Sequence, residues 1–218
     1  MAEVTVIIPT YFGGSMLYNC IESVSKHVPN VRILVYKNDI GFLKACNKAM
    51  QSVNTDVILL NDDTLILSNI VREMHDLAYS DSDIGIVGGK ALSPNDHETI
   101  INYGIYIGTD GNTAHKYYGQ ARDSVAVESQ KAVEGSCMYI KRTLIDEIGL
   151  FDEGYGMGYR EELDYCFRAR EAGWKIVSCP TAEYVHYTSQ TNSKLGISNS
   201  TYDYFMSKWS KKLKLGLV

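Results

Sequence analysis

Paired cysteines, an excess of basic charge and long apolar runs are all missing from this sequence. The five cysteines are odd in number and far apart, and none forms a CxxC pair, so they predict neither a zinc site nor a disulfide framework. The net charge of -5 at pH 7 argues against a general nucleic-acid binder, because such proteins are usually basic. No stretch approaches the ~18 apolar residues of a membrane span, and the N-terminus lacks a signal-peptide pattern. We therefore expect a cytoplasmic protein with free thiols.

Strands and helices alternate in the first half of the sequence. Apolar runs near residues 4–8, 31–35, 56–60 and 84–87 are typical of buried strands, and segments with helical spacing of apolar residues lie between them. The second half is less regular, with short strands, turns and a glycine-rich stretch before a charged helix. This alternation predicts an α/β fold in which helices flank a central sheet that is mostly parallel but mixed.

No linker rich in proline, serine or charge divides the chain, so we predict one compact domain over residues 1–218. Residues 1–90 would form a nucleotide-binding half and residues 91–198 an acceptor half. The last segment, 199–218, is a basic amphipathic tail. It could pack one face on the body, lead into a further domain of a longer protein, or touch an anionic membrane surface weakly.

The most informative segment is Asn61-Asp62-Asp63-Thr64, which directly follows the apolar run at 57–60. Two adjacent carboxylates resist joint ionisation unless a cation or strong donors lie between them. Open α/β sheets bind ligands at the carboxyl edge of their strands. The pair therefore indicates Mg²⁺ or Mn²⁺ together with a phosphate-bearing ligand, although the same residue types also form plain polar turns.

Two other strand ends carry polar side chains. Thr10 and Tyr11 end the first strand before Gly13 and Gly14, where a helix N-terminus would offer backbone N–H groups to phosphate or ribose oxygens. His186 lies in a late strand, where a lone histidine is more often a structural residue. It could join Asp63 as a metal ligand only if its strand lies beside the edge at which Asp63 is placed.

Three carboxylates, those of Glu161, Glu162 and Asp164, begin the charged helix. Carboxylates in a first turn complement the helix dipole, which is their plain structural interpretation. Glu161, Asp164 and Arg168 share one helix face, which favours an internal ion pair. Glu162 points about 100° away from Glu161 and could face a cleft as a general base.

Taken in order, these segments resemble the family 2 inverting glycosyltransferases, which have the GT-A fold. The likeness covers nearly the whole chain and is closest to the rhamnosyltransferase-like branch, with a weaker likeness to viral capsid glycosyltransferases. The matching segments are the opening strand at 4–11, an Asn-x-Gly-Phe-like helix start at 38–42, a DXD-like metal motif at 59–64, an acceptor-side strand at 135–142, a Glu-Asp-x-Asp-like helix within 151–174, and the late histidine His186.

The resemblance implies a role for each of these positions. Asp63 would hold a Mn²⁺ or Mg²⁺ ion that bridges the donor diphosphate, Asp62 would help through the metal or the ribose, and His186 would complete the metal shell. Glu162 would deprotonate an acceptor hydroxyl on a glycan or glycoprotein. The donor would be a nucleoside-diphosphate sugar, and UDP is the expected nucleotide.

The resemblance also implies a nucleotide pocket lined by Thr10, Tyr11, Asp39 and Gly41. The family usually has an extra strand and helix before the Asn-x-Gly-Phe segment, and here there is room for only one strand. Tyr36, Lys37 or Asp39 would then contact the base instead. The Glu-Asp of the family also reads Glu-Glu here, which leaves Glu161 and Asp164 as alternatives to Glu162.

Two other functions remain open at this point. A sugar nucleotidyltransferase has a similar half-fold, but it usually carries a basic glycine-rich loop after the first strand, and the segment at 11–15 has no Lys or Arg. A non-catalytic carbohydrate-binding domain would account for the Glu-Glu pair and the shortened nucleotide half.

Overall fold

A nine-stranded sheet with helices on both faces forms the body of the protein in the computed structural model, which describes residues 3–37, 40–188 and 201–218. The strands are β1 (Val4–Thr10), β2 (Arg32–Lys37), β3 (Asp56–Leu60), β4 (Thr64–Ile66), β5 (Ile84–Leu92), β6 (Ile100–Asn102), β7 (Ile105–Ile107), β8 (Thr113–His115), β9 (Glu128–Ser129), β10 (Cys137–Ile140) and β11 (Lys175–His186). The helices are α1 (Ser15–His27), α2 (Phe42–Gln51), α3 (Ile70–Ala78), α4 (Arg142–Ile148), α5 (Glu161–Glu171) and α6 (Tyr202–Lys214).

The order of the strands places the functional segments at one edge of the sheet. The main path runs β2-β1-β3-β10-β5-β11-β4, while β7 and β8 form a separate hairpin. Strand β10 is antiparallel to both β3 and β5, so β2, β1, β3, β5 and β11 all run the same way. The sheet is thus mixed and mainly parallel, as the alternation predicted. Because β10 is reversed, its first residues lie where β3 ends.

Alternating side chains of the strands build a core on each face. On one face, residues such as Ile7 and Leu59 pack with α2, α4, α5 and α6. On the other face, Ile8 and Ile58 pack with α1 and α3. All five cysteines are free and buried, in agreement with the thiols that the sequence predicted. Because helices cover both faces of the sheet, a ligand would bind at the carboxyl ends of the strands.

The C-terminal tail packs on the body as helix α6. Its apolar stripe of Phe205, Trp209 and Leu213 is buried in the same core as α5. Lys208 extends along the helix to reach the carboxylates of Asp152 and Asp164 at 2.7 and 2.5 Å. Among the described residues, no helix has the length and apolar character needed to cross a membrane. Contact of the tail with a membrane surface stays an untested prediction.

Candidate active site

The turn after β3 presents the paired carboxylates at the carboxyl edge. Asn61 is the first residue of this turn, and its backbone N–H donates a 3.0 Å hydrogen bond to the carbonyl of Ser136, which ties the turn to the start of β10. The hydroxyl of Thr64 donates to the Asn61 carbonyl at 2.7 Å and closes the turn. These bonds fix the backbone of Asp62 and Asp63 between two neighbouring strands.

Asp62 is held from the end of β1. The Thr10 hydroxyl donates a 2.5 Å hydrogen bond to Oδ2 of Asp62. The same hydroxyl oxygen accepts a 3.0 Å hydrogen bond from the N–H of Gly13, just before α1. The structure therefore brings together Thr10 and Asp62, two residues 52 positions apart that the sequence had assigned to one pocket.

Asp63 and His186 face each other across β4 and β11. The register pairs Thr64 with His186, so the neighbouring Asp63 comes to lie beside the imidazole. Nε2 of His186 is 3.2 Å from Oδ1 of Asp63, and the two residues are only 4% and 7% exposed. Neither atom has a hydrogen-bond partner of good geometry among the described residues. Burial lowers the pKa of His186, but Asp63 and Glu134 raise it more, so it lies above its ordinary value.

Glu134 joins this cluster and was missed by the sequence analysis. Its Oε1 lies 3.7 Å from Nδ1 of His186, on the side of the ring away from Asp63. Glu134 reaches the edge because β10 is antiparallel and the residues just before it lie beside the end of β3. The only signal in the sequence was its position next to Gly135, within a segment that resembled the acceptor-side strand.

Glu161 and Glu162 have different surroundings despite being neighbours. Glu162 is partly exposed and packs beside Gly135, where an added Cβ would lie 3.6 Å from its own. Burial is the main cause that raises the pKa of Glu162 to about 7. Glu161 is only 6% exposed, and burial followed by the charge of Glu162 raises its pKa well above the usual range. Glu161 therefore keeps its proton to higher pH than an ordinary glutamate, while Glu162 can gain and lose a proton near neutral pH.

Asp164 is fully enclosed and serves as an anchor. Its carboxylate accepts hydrogen bonds from Nε1 of Trp209 at 2.8 Å, from the hydroxyl of Tyr155 at 3.2 Å and from Arg168 at 2.9 Å. With Lys208 it forms a buried ion pair. A carboxylate with four partners and no exposed surface cannot reach a substrate hydroxyl, so this geometry favours Glu162 over Asp164 as a base.

The residues expected around the nucleotide lie at the ends of β1 and β2. Thr10 pairs in register with Lys37, which is exposed at the edge of the sheet. Tyr11 is 38% exposed. Gly41 precedes α2 with a φ of 95°, and an added Cβ would lie 3.2 Å from the sulfur of Met157 in the glycine-rich segment. Asp39 lies outside the described residues. As the sequence indicated, a single strand, β2, separates α1 from α2.

A separate cleft of about 480 Å³ lies at the opposite edge of the sheet. It is lined by the starts of β1 and β2 and by the first turns of α3, including Arg32, Arg72 and His75. Parallel strands place their amino ends far from their carboxyl ends, so this cleft is not part of the carboxylate cluster.

Asp63 and His186 fit a divalent cation. Two neighbouring ligands in an octahedral shell with bonds of about 2.1 Å lie about 3 Å apart, and the buried Oδ1 and Nε2 atoms are separated by 3.2 Å. Carboxylate oxygen suits Mn²⁺ and Mg²⁺, and imidazole suits the transition metals. Among the described residues, no group of three or more His, Cys, Asp and Glu side chains is arranged as a complete metal site.

The raised pKa of Glu161 predicts how the stability of the protein depends on pH. An unfolded glutamate ionises near pH 4.3, but folded Glu161 holds its proton to higher pH, so the free energy of unfolding falls as pH rises above about 4.5. Glu161→Gln keeps a donor of the same shape and removes this loss. Its stability relative to wild type should increase as pH rises above about 4.5, by up to about 1.4 kcal/mol per pH unit in urea unfolding. Glu171→Gln, an exposed change on the same helix, is the control, and a pH-independent difference would contradict the assignment.

Comparison with known proteins agrees with this architecture. The fold matches the crystal structure of GalNAc-T7 with UDP, GalNAc and Mn²⁺, with a TM-score of 0.74 and 15% sequence identity over 98% of this chain and 50% of that one. At this identity the match shows the fold, which is of the GT-A type.

Sequence comparisons identify the family of the chain. The model of glycosyltransferase-like family 2 matches residues 2–211, so the chain belongs to this family. Uncharacterized protein y4gI of Sinorhizobium fredii is 27% identical over 194 residues, which cover 82% of this chain and 21% of that protein. The N-acetylglucosaminyl-diphospho-decaprenol L-rhamnosyltransferase of Mycobacterium tuberculosis is 36% identical over 62 residues, 28% of this chain and 20% of that enzyme. The chain thus spans about a fifth of the length of these curated relatives, and the likeness to viral capsid enzymes stays a prediction.

Proposed function

We propose that the protein transfers a sugar from a nucleoside-diphosphate sugar to a hydroxyl group, with inversion at the anomeric carbon and with a divalent metal ion. The observation that carries this proposal is one continuous cluster at the carboxyl edge. It begins with Asp62 and Asp63, continues through His186 and Glu134, and reaches Glu162 beside Gly135. A residue pair that fits a cation and a titratable carboxylate in one cluster suit the two partners of a transfer reaction, the leaving diphosphate and the attacking hydroxyl.

The residues of the chain would divide the work between donor and acceptor. The nucleotide would bind along the ends of β1 and β2 and the start of α2, where it would contact Thr10, Lys37 and Gly41. Lys37 would provide a positive charge there. Asp63 and His186 would hold the metal, which when bound would supply positive charge against the leaving diphosphate. Glu162 would accept the proton of the acceptor hydroxyl as the oxygen attacks the anomeric carbon from the face opposite the diphosphate. A direct displacement of this kind inverts the configuration at that carbon.

The identity of both substrates is part of the proposal. Support for a UDP-linked donor comes from GalNAc-T7, a protein of similar fold whose crystal structure holds UDP, GalNAc and Mn²⁺. The acceptor would be a glycan or glycoprotein, since Glu134 and Glu162 offer two carboxylates to sugar hydroxyls. The reaction would take place in the cytoplasm, where nucleotide sugars are supplied.

Donor binding is the direct test of this function. In titration calorimetry, UDP should bind to the protein with Mn²⁺ present, and a chelator should remove that binding. A screen of nucleoside-diphosphate sugars should then show metal-dependent hydrolysis or transfer for one of them. Equal binding of UDP with and without metal would contradict the site. Release of pyrophosphate from a nucleoside triphosphate would instead favour a nucleotidyltransferase.

A further inference from the structure

The helix α5 begins from a strained segment of backbone. Gly156 and Gly158 have positive φ angles of 65° and 132°, and two residues with side chains, Tyr159 and Arg160, follow at 71° and 68°. Residues other than glycine adopt this left-handed conformation uncommonly, and they keep it where surrounding contacts over-determine it. The direction in which the first turn of α5 leaves this segment therefore depends on the contacts of Tyr159 and Arg160.

Arg160 is buried among groups from two distant parts of the chain. Its Nη1 donates a 2.8 Å hydrogen bond to the carbonyl of Gly111, in the turn between β7 and β8. The centre of its guanidinium lies 5.0 Å from the ring centre of Tyr202 and 5.4 Å from that of Phe205, both on α6. The residue is only 8% exposed. A planar cation fixed by a carbonyl and two rings has little freedom to turn.

Helix α6 also holds the residues on either side of Arg160. The hydroxyl of Thr201 donates a 2.8 Å hydrogen bond to the carbonyl of Tyr159. Nε1 of Trp209 donates at 2.8 Å to Asp164, one turn into α5. Thr201, just before α6, and Trp209 within it therefore contact both ends of the first turn of α5, which carries Glu161 and Glu162.

Charges of both signs surround Glu162. Burial is the main cause of its raised pKa, the nearby carboxylate of Glu134 before β10 raises the pKa further, and Arg160 lowers it. Glu161, on the same helix, lowers the pKa of Glu162 through a side-chain hydrogen bond. Arg160 is the cation that offsets the Glu134 carboxylate in the balance that acts on Glu162.

We propose that Arg160 is a positioning residue for the transfer reaction: it fixes the first turn of α5 so that Glu162 faces Gly135 and Glu134, and it links this orientation to α6 and to the turn between β7 and β8. This inference rests on the proposed function for the role of Glu162 as a base. The contacts of Arg160 are a property of the chain itself and can be tested without a known acceptor.

The test replaces Arg160 with Met, which keeps an apolar stem and removes the charge. The titration midpoint of Glu162, followed by ¹³C-carboxyl NMR and assigned with Glu162→Gln, should rise by about 0.5 to 1 pH unit because its cationic neighbour is lost. The kcat for transfer or donor hydrolysis should fall by about 10- to 100-fold through misplacement of the base, with the affinity for UDP and Mn²⁺ unchanged. Arg160→Lys keeps the charge, so it should preserve the midpoint but still lower kcat.

Two controls separate positioning from general damage. Arg72→Met removes an exposed arginine on α3, which pairs with Asp76, and should change neither the midpoint nor kcat. Arg160→Gly relieves the left-handed backbone and removes the guanidinium, so a wild-type midpoint and kcat in that variant would overturn the proposal. A wild-type midpoint in folded Arg160→Met would also overturn it. Absence of UDP binding by the wild-type protein would count against the proposed function instead. The NMR titration would still show whether Arg160 acts on Glu162.

Discussion

Asp63→Asn should lower kcat/KM for donor turnover by about 1,000-fold, because a metal ion supplies several kcal/mol of transition-state stabilisation and about 1.4 kcal/mol is worth tenfold. The amide has the shape of the carboxylate but lacks its negative charge. Oδ1 of Asp63 is buried, and it lies 3.2 Å from Nε2 of His186. The folded chain therefore already holds the two proposed metal ligands side by side. In calorimetry with UDP present, the variant should lose most of its affinity for Mn²⁺.

The matched control is Asp76→Asn on α3, whose side chain is 60% exposed and pairs with Arg72 at 3.6 Å. It removes the same charge at a distance from the carboxyl edge and should leave metal binding and turnover unchanged. Wild-type affinity for Mn²⁺ in folded Asp63→Asn would refute the metal role of the Asp63–His186 pair. If folded Asp63→Asn bound Mn²⁺ as the wild type does but had lost turnover, Asp63 would act in the reaction in some way other than metal binding.

Glu162→Gln should lower the rate of transfer by about 10²- to 10⁴-fold, which is the usual contribution of a general base. The glutamine fills the same space beside Gly135 but cannot accept a proton. Because Asp63 and His186 are untouched, the affinity for UDP and Mn²⁺ should stay at the wild-type value. Calorimetry and single-turnover measurements on the same preparation separate the two effects.

The pH dependence gives this prediction a second readout. With its pKa at about 7, Glu162 is protonated and inactive as a base at lower pH, so the wild-type rate should rise with pH and level off above about 7. Residual turnover of Glu162→Gln should lack that rise. Glu171→Gln, on the same helix and paired with Lys212, should keep the wild-type profile. A persistent midpoint near 7 in Glu162→Gln would assign the base to another group, with the neighbouring Glu161 the first candidate.

The sequence locates the residues of the proposed donor side because they follow regular elements, while their roles stay predictions. Thr10, Asp62 and His186 each lie at the end of an apolar strand, and parallel strands bring such ends to one edge. The periodicity that defines the strands therefore also locates the residues. His186 could meet Asp63 only if its strand lay beside the edge at which Asp63 is placed, and β11 pairs with β4 at that edge.

The acceptor side could not be predicted to the same depth, because its arrangement depends on contacts between distant segments. Glu134 comes to the edge only through the reversed direction of β10, which no local pattern indicates. The enclosure of Asp164 depends on Trp209 and Lys208, which lie more than 40 positions away on α6. Spacing along α5 showed which carboxylates share a face, but not which of them would be enclosed.

The reversed strand β10 also couples the two proposed halves of the reaction. The carbonyl of Ser136 accepts the hydrogen bond from the Asn61 N–H, and Glu134, two residues earlier, lies 3.7 Å from His186. A substitution in this short segment would therefore act both on the carboxylate beside Gly135 and on the pair that fits a cation. We expect acceptor preference and metal affinity to change together in such variants.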